Sequence, residues 1–416
     1  MVLAPNCTRA SVATRWAGLS SRLVAGACAV ALVLVLVLWV PLAGAAVAPI
    51  WSVQATPNPA GAQDSLLSSV SCISLTACSA VGHYTSGGGS GLTLAERWNG
   101  ARWSIERTPR PAGASTSLLF GVSCISRTCI AVGSTTSHAT VSVPLVERRS
   151  GGRWTIQRTP KLPATHDSVS YLSGVSCTSP SSCTAVGYAG NSEGTRGAPL
   201  AERWNGVSWI LQRTPHPAGA TVGFLPAVSC LSAKSCIAVG FFINHAGAGV
   251  TLAERWDGVR WSIQRTPTPQ AATYVQLVGV SCRVPGPCMA AGFFSIVTGT
   301  EIMLAESSQR AAWSIQHTLY PPNPPGATGV RFTGVSCGST RACTAVGFFG
   351  TAAGVNDTLA ERWNGTDWVI QQTPDPAGAL SAALAGVSCP SPAACTAVGS
   401  VTDSTGTEVT LAERYS

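Results

Sequence analysis

Fourteen of the sixteen cysteines fall into seven pairs, and the two members of each pair are five or six positions apart. Thiols at this spacing could form a disulfide or hold a metal ion. A zinc site would need a second cysteine pair or histidines close by, and no such grouping recurs. Regularly spaced cysteines in even number are typical of a disulfide framework in exported proteins. We therefore predict no metal or other cofactor and seven disulfides: Cys72–Cys78, Cys124–Cys129, Cys177–Cys183, Cys230–Cys236, Cys282–Cys288, Cys337–Cys343 and Cys389–Cys395.

A Leu-Ala-Glu-Arg segment, with small variations, also repeats and brings a carboxylate beside a guanidinium each time. A catalytic centre is a single constellation, whereas one glutamate per repeat would form a ring, so we predict a structural role. On the outer part of each repeat, the glutamate is expected to pair with an arginine of the adjoining strand, such as Arg107, Arg158, Arg213 or Arg265. The glutamates are Glu96, Glu147, Glu202, Glu254, Glu306, Glu361 and Glu413.

Variable segments between the repeated motifs hold the side chains that could bind a ligand. They are loops of the kind that commonly carry binding residues on a rigid scaffold. Histidines and carboxylates could supply hydrogen bonds or proton transfer, and phenylalanines could form an apolar patch. His166 and Asp167 are neighbours, but adjacent residues of an extended chain point apart. The residues that we predict for ligand binding are His83, Tyr84, His166, Asp167, Glu193, Phe242, His245, Phe294, Phe349 and Asp357.

The elements that must position these side chains are short strands in a repeat of 52 to 55 residues. Each repeat reads Val-Ser-Cys, Cys-x-Ala-Val-Gly, Leu-Ala-Glu-Arg-Trp and Trp-Ser-Ile-Gln-Arg-Thr, with turn residues between these runs. Asn-Gly or Asp-Gly between the last two runs is a strong hairpin signal. Four antiparallel strands in each of seven repeats predict an all-β chain and a seven-bladed β-propeller. The tryptophans beside the turn are expected to pack between blades, and an aromatic ligand site in each blade is the alternative.

The two ends of the repeat region indicate how the propeller closes. The region starts with a fourth-strand motif at Trp51 and ends just after a third-strand motif, Leu411–Ser416. We therefore predict that the N-terminal strand completes the last blade. This pairing would leave no open sheet edge where the first and last repeats meet.

The first 45 residues predict export. Basic residues up to Arg22 precede an apolar run from Leu23 to Val40, and Ala43-Gly44-Ala45 provides a small-residue cleavage pattern. The apolar run is also long enough to span a bilayer, so an uncleaved N-terminal membrane anchor is the alternative. We predict a signal peptide over residues 1–45, a propeller over residues 46–416, and a secreted or cell-envelope location, with membrane contact only if the segment is retained.

The charge pattern limits the classes of partner. Only 11% of the residues are charged, and the formal net charge of +8 is not concentrated in any Lys/Arg run. Nucleic-acid binding would need a basic patch or stripe. We therefore predict no nucleic-acid partner, and a monomer that binds an extracellular glycan or protein.

Two resemblances add to these expectations. The Asn/Asp-Gly-x-x-Trp hairpin is similar to a shortened Asp-box, as found in sialidase-like propellers, but the leading Ser-x-Asp is missing. Over the whole repeat region, the Val-Ser-Cys and Leu-Ala-Glu-Arg-Trp-Asn-Gly motifs resemble those of uncharacterised secreted repeat proteins of actinobacteria. This second resemblance implies a secreted repeat fold and brings no known activity with it.

The function that the sequence favours is non-catalytic binding or scaffolding outside the cell, through the variable loops. No phosphate-binding loop, HExxH motif, GxSxG motif or calcium loop occurs in the chain. The alternative is a sialidase-like glycoside hydrolase or a polysaccharide lyase with carboxylates at the mouth of the channel. Two carboxyl groups about 5–10 Å apart in one pocket would favour the hydrolase. Its carboxylates would come from Asp167, Glu193, Asp357 or Asp403.

Overall fold

The computed structural model describes residues 49–137, 141–162, 168–309, 312–319, 329–374 and 376–416. These residues form 28 β-strands and contain no helix. The prediction of an all-β chain of antiparallel strands is confirmed. In the described ranges no helix is long and apolar enough to cross a membrane. The signal peptide or membrane anchor that we predict over residues 1–45 lies outside these ranges.

The strands form seven groups of four, which we call units 1 to 7. Single parallel bridges between strands join units 2, 3 and 4 into one 12-stranded sheet. Unit 1 contains β2 (Ala62–Ser74), β3 (Ala77–Ser86), β4 (Gly91–Trp98) and β5 (Trp103–Glu106). Unit 2 contains β6 (Ala114–Ile125), β7 (Thr128–Ser137), β8 (Ser142–Ser150) and β9 (Arg153–Gln157). Unit 3 contains β10 (Ser168–Ser179), β11 (Ser182–Asn191), β12 (Gly197–Trp204) and β13 (Trp209–Gln212). Unit 4 contains β14 (Ala220–Ser232), β15 (Ser235–Asn244), β16 (Gly249–Trp256) and β17 (Trp261–Gln264).

The remaining units follow the same order, with one exchange at the ends. Unit 5 contains β18 (Ala272–Cys282), β19 (Cys288–Ile296), β20 (Glu301–Gln309) and β21 (Ala312–Gln316). Unit 6 contains β22 (Val330–Ser339), β23 (Ala342–Gly350), β24 (Asn356–Trp363) and β25 (Trp368–Gln371). Unit 7 contains β26 (Ser381–Ser391), β27 (Ala394–Thr402) and β28 (Glu408–Tyr415), and its fourth strand is β1 (Trp51–Gln54). Trp51 lies opposite Tyr415 in this antiparallel pair, so the N-terminal strand pairs with the last strand as predicted.

A bulge in the first strand of each unit explains the glycine of the Ala-Val-Gly segment, which reads Ala-Ala-Gly in unit 5. The ladder between β2 and β3 shifts register between Leu67 and Ser69. A Cβ atom at Gly82 would lie 2.0 Å from the carbonyl oxygen of Leu66, so a larger residue cannot fit. A Cβ atom at the equivalent glycine of each of the other six units would lie 1.9–2.0 Å from the equivalent carbonyl oxygen of its own first strand.

The disulfides close the hairpin between the first two strands of each unit. All seven predicted bridges are present, with Cα–Cα distances of 3.8–4.0 Å. Cys72 and Cys78, for example, lie directly opposite each other in the ladder. A covalent link here limits the conformations of the unfolded hairpin and so favours the folded state.

Hydrophobic cores lie between neighbouring units. The core of unit 1 contains Leu67 and Trp98 and also takes in Val398 and Ala412 from unit 7. The next core joins Val81 of unit 1 to residues of unit 2, and the series continues from unit to unit. Each sheet is therefore covered on both of its faces by its neighbours.

The serine of each Val-Ser-Cys segment links its unit to the next. Its hydroxyl oxygen accepts a hydrogen bond from the backbone N–H of the first cysteine in the following unit, at 2.9–3.0 Å. Ser71 accepts from Cys124 in this way, and Ser388 of unit 7 accepts from Cys72 of unit 1. The series of hydrogen bonds is therefore cyclic. The sequence alone did not indicate that this serine links neighbouring units.

The repeated glutamate lies in the interior, and our prediction that it pairs with an arginine on the outer part of the unit is wrong. All seven glutamate side chains are 0% exposed. Strand register places Ile105 opposite Glu96, and Arg107 comes after the end of β5. The alternation of a strand exposes one side chain in two only when one sheet face is in water. Here both faces are covered, so the glutamate is buried among its neighbours.

Candidate functional site

The ligand-binding residues predicted from the sequence are distributed over five units. His166 and Asp167 lie outside the described residues. His83 and Tyr84 are on β3 of unit 1, and Glu193 is in the exposed turn after β11. The structure brings one pair together: Phe349 and Asp357 are opposite each other on β23 and β24. The others are Phe242 on β15, His245 in the turn after β15, and Phe294 on β19.

The three predicted phenylalanines pack against hydrophobic cores. Phe242, Phe294 and Phe349 each contact the core of a different unit interface, and Tyr84 contacts the core of unit 1. Each of these three phenylalanines is the second residue of a Phe-Phe pair and is half-buried. The first phenylalanine of each pair lies opposite a first-strand residue, which is Phe224 for Phe241, Gln276 for Phe293 and Arg331 for Phe348.

Two of those first phenylalanines, Phe241 and Phe293, belong to a continuous row of aromatic rings. Neighbouring ring centroids are 5.6–6.4 Å apart, mostly in tilted or edge-to-face geometry, which aromatic pairs prefer. The rings are buried or half-buried and come from units 2 to 5. We call this row the aromatic arc: Phe120, Tyr171, Tyr188, Phe224, Phe241, Tyr274 and Phe293.

One layer of the repeat supplies most of the arc. It consists of the first-strand residue six positions before the first cysteine and its partner on the second strand. In units 3 and 4 this pair is Tyr171 with Tyr188 and Phe224 with Phe241. In units 5 and 6 the pairs are Gln276 with Phe293 and Arg331 with Phe348. In units 7, 1 and 2 they are Ala383 with Ser400, Leu66 with His83, and Leu118 with Ser134.

The arc ends in a group of polar side chains. The guanidinium of Arg331 lies 4.8 Å from the ring centroid of Phe293 and 5.1 Å from that of Phe348. It also forms an ion pair with Glu301, in which Nη2 and Oε2 are 2.5 Å apart. The side chains of Arg331 and Glu301 remain 35% and 24% exposed, so both can reach a ligand.

One hydroxyl group and one imidazole group near this layer are held in their neutral forms. Burial, and then the charge of Glu301, raise the pKa of Tyr274 to about 12. Its hydroxyl therefore stays protonated, and it donates to Oε1 of Gln276 at 3.0 Å. Burial lowers the pKa of His83, although the nearby Glu408 carboxylate raises it in part. At neutral pH both groups are therefore uncharged.

The first strands also line a narrow central cavity of about 180 Å³. At the point of closest approach each strand carries a small residue, and a Cβ at Gly121 would lie 2.4 Å from the carbonyl oxygen of Ser173. Among the described residues that line this cavity there is no acidic, basic or histidine side chain. The carboxylate of Asp403 is instead held in its own turn, where it accepts hydrogen bonds from the backbone of Thr405 and Thr407.

A second depression lies between units 3 and 4 at the turns that follow the second strands. Its volume is about 650 Å³, and Arg196 and His216 are among its lining residues. The turn is fixed because Oδ1 of Asn191 accepts hydrogen bonds from the backbone N–H groups of Thr195 and Arg196. This depression adds a basic and an imidazole group on the loop side of the units. No group of three or more potential metal ligands occurs in the part of the chain that the structure describes.

The chain matches no protein-family model and no curated protein sequence. It is similar to the solved structure of an ulvan lyase, a polysaccharide lyase bound to -[GlcA(1-4)Rha3S]-, with a TM-score of 0.51 and 8% identity over 84% of this chain and 94% of that one. YCF48 bound to D1 peptide gives 0.49 and 13% identity, over 88% and 94% of the two chains. AofleA from Arthrobotrys oligospora gives 0.40 and 12%, over 77% and 88%. Similarity at this level shows the fold alone, and that fold is a β-propeller.

Proposed function

We propose that the chain is an extracellular, non-catalytic binding propeller that holds a glycan at the aromatic arc. The observation that carries this proposal is the arc itself, a row of half-buried rings that ends in the Arg331–Glu301 pair. Ligand sites commonly combine aromatic and apolar walls with a few placed polar groups. The C–H faces of sugar rings can pack on the arc while the polar end orients hydroxyl or carboxylate groups.

The proposed architecture is a closed seven-bladed propeller in which each unit is one blade. The cyclic series of serine–cysteine hydrogen bonds and the pairing of β1 with β28 support closure. Seven disulfides support export, because such bridges persist in oxidising compartments. In this proposal residues 1–45 are a signal peptide, and the propeller acts outside the cell or in the cell envelope.

Catalysis of glycan cleavage is the alternative, since a tyrosine, a glutamate and an arginine meet at the end of the arc. The state of these groups favours binding. Glu301 is engaged with Arg331, and the raised pKa of Tyr274 keeps its hydroxyl protonated, so that it is not available as a base at neutral pH. A glycoside hydrolase also needs two carboxyl groups flanking the bond to be cleaved.

A glycan array probed with the secreted, disulfide-bonded protein tests the proposal. Tyr171→Ala and Phe241→Ala should each weaken binding of the best ligand at least tenfold by titration calorimetry. Ile210→Ala, at a 49% exposed position outside the arc, is the matched control and should bind like the wild type. A ligand whose affinity is unchanged by both arc variants would contradict the proposal. Shorter products after incubation with that glycan would favour the enzyme.

A further inference from the structure

Unit 2 departs from the repeat at three places. Its third strand reads Glu-Arg-Arg, so Arg149 stands where most units have a tryptophan or tyrosine. Its last hairpin contains Gly151 and Gly152, both with positive φ, in place of Asn-Gly. Its cysteine loop is one residue shorter, and Ser126 in that loop has φ of 55°, which is uncommon for a residue with a side chain.

All three departures face one cleft between units 1 and 2. The cleft has a volume of about 470 Å³. Unit 1 contributes Ser71 and Arg97 to its lining, and unit 2 contributes Ser126, Arg127 and Arg149. It lies at the cysteine ends of the strands, six residues beyond the layer that forms the aromatic arc. The cleft is therefore a separate feature from the proposed glycan site.

At other junctions the arginine of the Glu-Arg segment is used by the fold. The guanidinium of Arg203 lies 5.9 Å from the ring centroid of Trp256 in the next unit and donates to the carbonyl of Ala233 at 2.6 Å. Arg414 lies 4.7 Å from the ring centroid of Trp98 and donates to the carbonyl of Leu75 at 2.8 Å. Such stacking on an aromatic face is a cation–π contact.

At the unit 1–unit 2 junction the aromatic partner is replaced by a cation with its own counterion. Arg149 forms two hydrogen bonds of 2.7 Å with the carboxylate of Glu106, and Trp154 donates to the same carboxylate at 3.0 Å. Glu106 is itself a departure, because the other six units have glutamine at this position. Arg149 and Glu106 thus neutralise each other and leave Arg97 without an aromatic partner.

The remaining charge in the cleft is positive. Arg97 and Arg127 are exposed, line the cleft, and form no ion pair within the described ranges. The lining contains no carboxylate among the residues that the structure describes. The hydroxyl of Ser71 accepts the N–H of Cys124, which leaves its own proton free to donate. Guanidinium groups bind carboxylate, sulfate and phosphate oxygens in a two-pronged geometry.

We propose that this cleft binds an oxyanion, a carboxylate, sulfate or phosphate group, between Arg97 and Arg127. The volume falls within the range of small-ligand sites, which is more than a bare ion needs. The ligand is therefore an oxyanion carried on a body about the size of one sugar ring. A uronic acid or a sulfated or phosphorylated sugar has this chemistry.

Titration with glucuronate, glucose 6-sulfate and glucose 6-phosphate at low ionic strength tests the proposal, with uncharged glucose as the reference probe. At least one anionic probe should bind, glucose should not, and added salt should weaken binding. Arg97→Gln combined with Arg127→Gln should reduce the affinity at least tenfold. Arg203→Gln, at the equivalent position of the unit 3–unit 4 junction, should leave it unchanged.

A second variant restores the repeat. Arg149→Trp combined with Glu106→Gln gives this junction the residues that most other units use, so Arg97 gains an aromatic face and binding should be lost. Thermal unfolding identifies a variant that has failed to fold. The proposal is overturned if none of the anionic probes binds, if glucose binds equally well, or if the Arg97/Arg127 variant binds like the wild type. The array test of the aromatic arc is independent of these outcomes.

Discussion

The unit 1–unit 2 and unit 3–unit 4 junctions are built from equivalent strands, yet they use their arginines differently. Both form basic clefts, of about 470 and 700 Å³. In the second, Arg203 stacks on Trp256 and is held by a carbonyl, so its charge is part of the scaffold. In the first, the aromatic residue is gone and Arg97 faces the cleft. The comparison teaches that in a repeat protein the positions that keep the pattern support the fold, and the departures are where binding is expected.

The largest expected effect is a loss of stability at the unit 3–unit 4 junction, where the arginine supports the fold. Trp256→Ala removes a buried ring from the core between units 3 and 4. We expect the free energy of unfolding to fall by about 3–5 kcal/mol, because a large cavity is left. Urea unfolding of the disulfide-bonded protein measures this. A loss below about 1 kcal/mol would show that the aromatic residue of this junction is dispensable.

The buried glutamates give a pH dependence that the exposed clefts cannot give. Burial raises the pKa of Glu202 to about 8, and the same cause raises five of its equivalents to about 8. The folded state therefore holds protons that the unfolded state releases near pH 4.5, so the contribution of these glutamates to stability is complete below that pH and is lost as the pH rises toward 8. Glu202→Gln should remove about 1.4 kcal/mol per pH unit from that loss.

Urea unfolding at several pH values between 5 and 8 measures the slope. Glu193→Gln, in an exposed turn, is the control and should leave the slope unchanged. Equal slopes for the wild type and Glu202→Gln would mean that this carboxyl titrates normally in the folded protein.

The Arg149–Glu106 pair offers an effect of intermediate size. Its side chains are 10% and 15% exposed, so removing one partner leaves a poorly hydrated charge. A double-mutant cycle of Arg149→Met and Glu106→Gln should give a coupling of about 1–3 kcal/mol. A coupling near zero would mean that the pair is not the internal neutralisation that we infer for the cleft.

The smallest expected effect is the difference in stability between variants of the two junction arginines, Arg97 and Arg203. Arg97→Gln should change stability by less than about 0.5 kcal/mol, because the side chain is exposed and supports nothing in the fold. Arg203→Gln should cost about 1 kcal/mol through its lost ring contact and hydrogen bond. Paired thermal and urea unfolding measure both values, and the reverse order would contradict the division into scaffold and binding arginines.

Local pattern predicted the features that depend on short spacing. The seven disulfides, the antiparallel strands and the pairing of the first strand with the last follow from motifs within one repeat and from its order along the chain. The aromatic arc could not be seen this way, because Tyr171, Phe224 and Tyr274 are about 50 residues apart and meet only after the units pack. The available signal was the residue after Ala-Val-Gly, which is aromatic in four consecutive repeats.

One prediction failed for a physical reason. The repeated glutamate was expected on the outer part of each repeat beside an arginine, yet its side chain is buried. Simple strand alternation assumes one wet and one dry face. In this fold neighbouring units cover both faces, and a bulge beside the Ala-Val-Gly glycine shifts the register, so alternation alone cannot give the direction of a side chain.

The most direct test of the account is a crystal structure of the secreted protein soaked with the best ligand from the glycan array. We expect electron density for the glycan on the rings of Tyr171, Phe224 and Phe241, with polar contacts to Arg331 or Glu301. Density for the ligand at a different surface, with the aromatic arc left in contact with solvent alone, would contradict the claim that this propeller binds its ligand there.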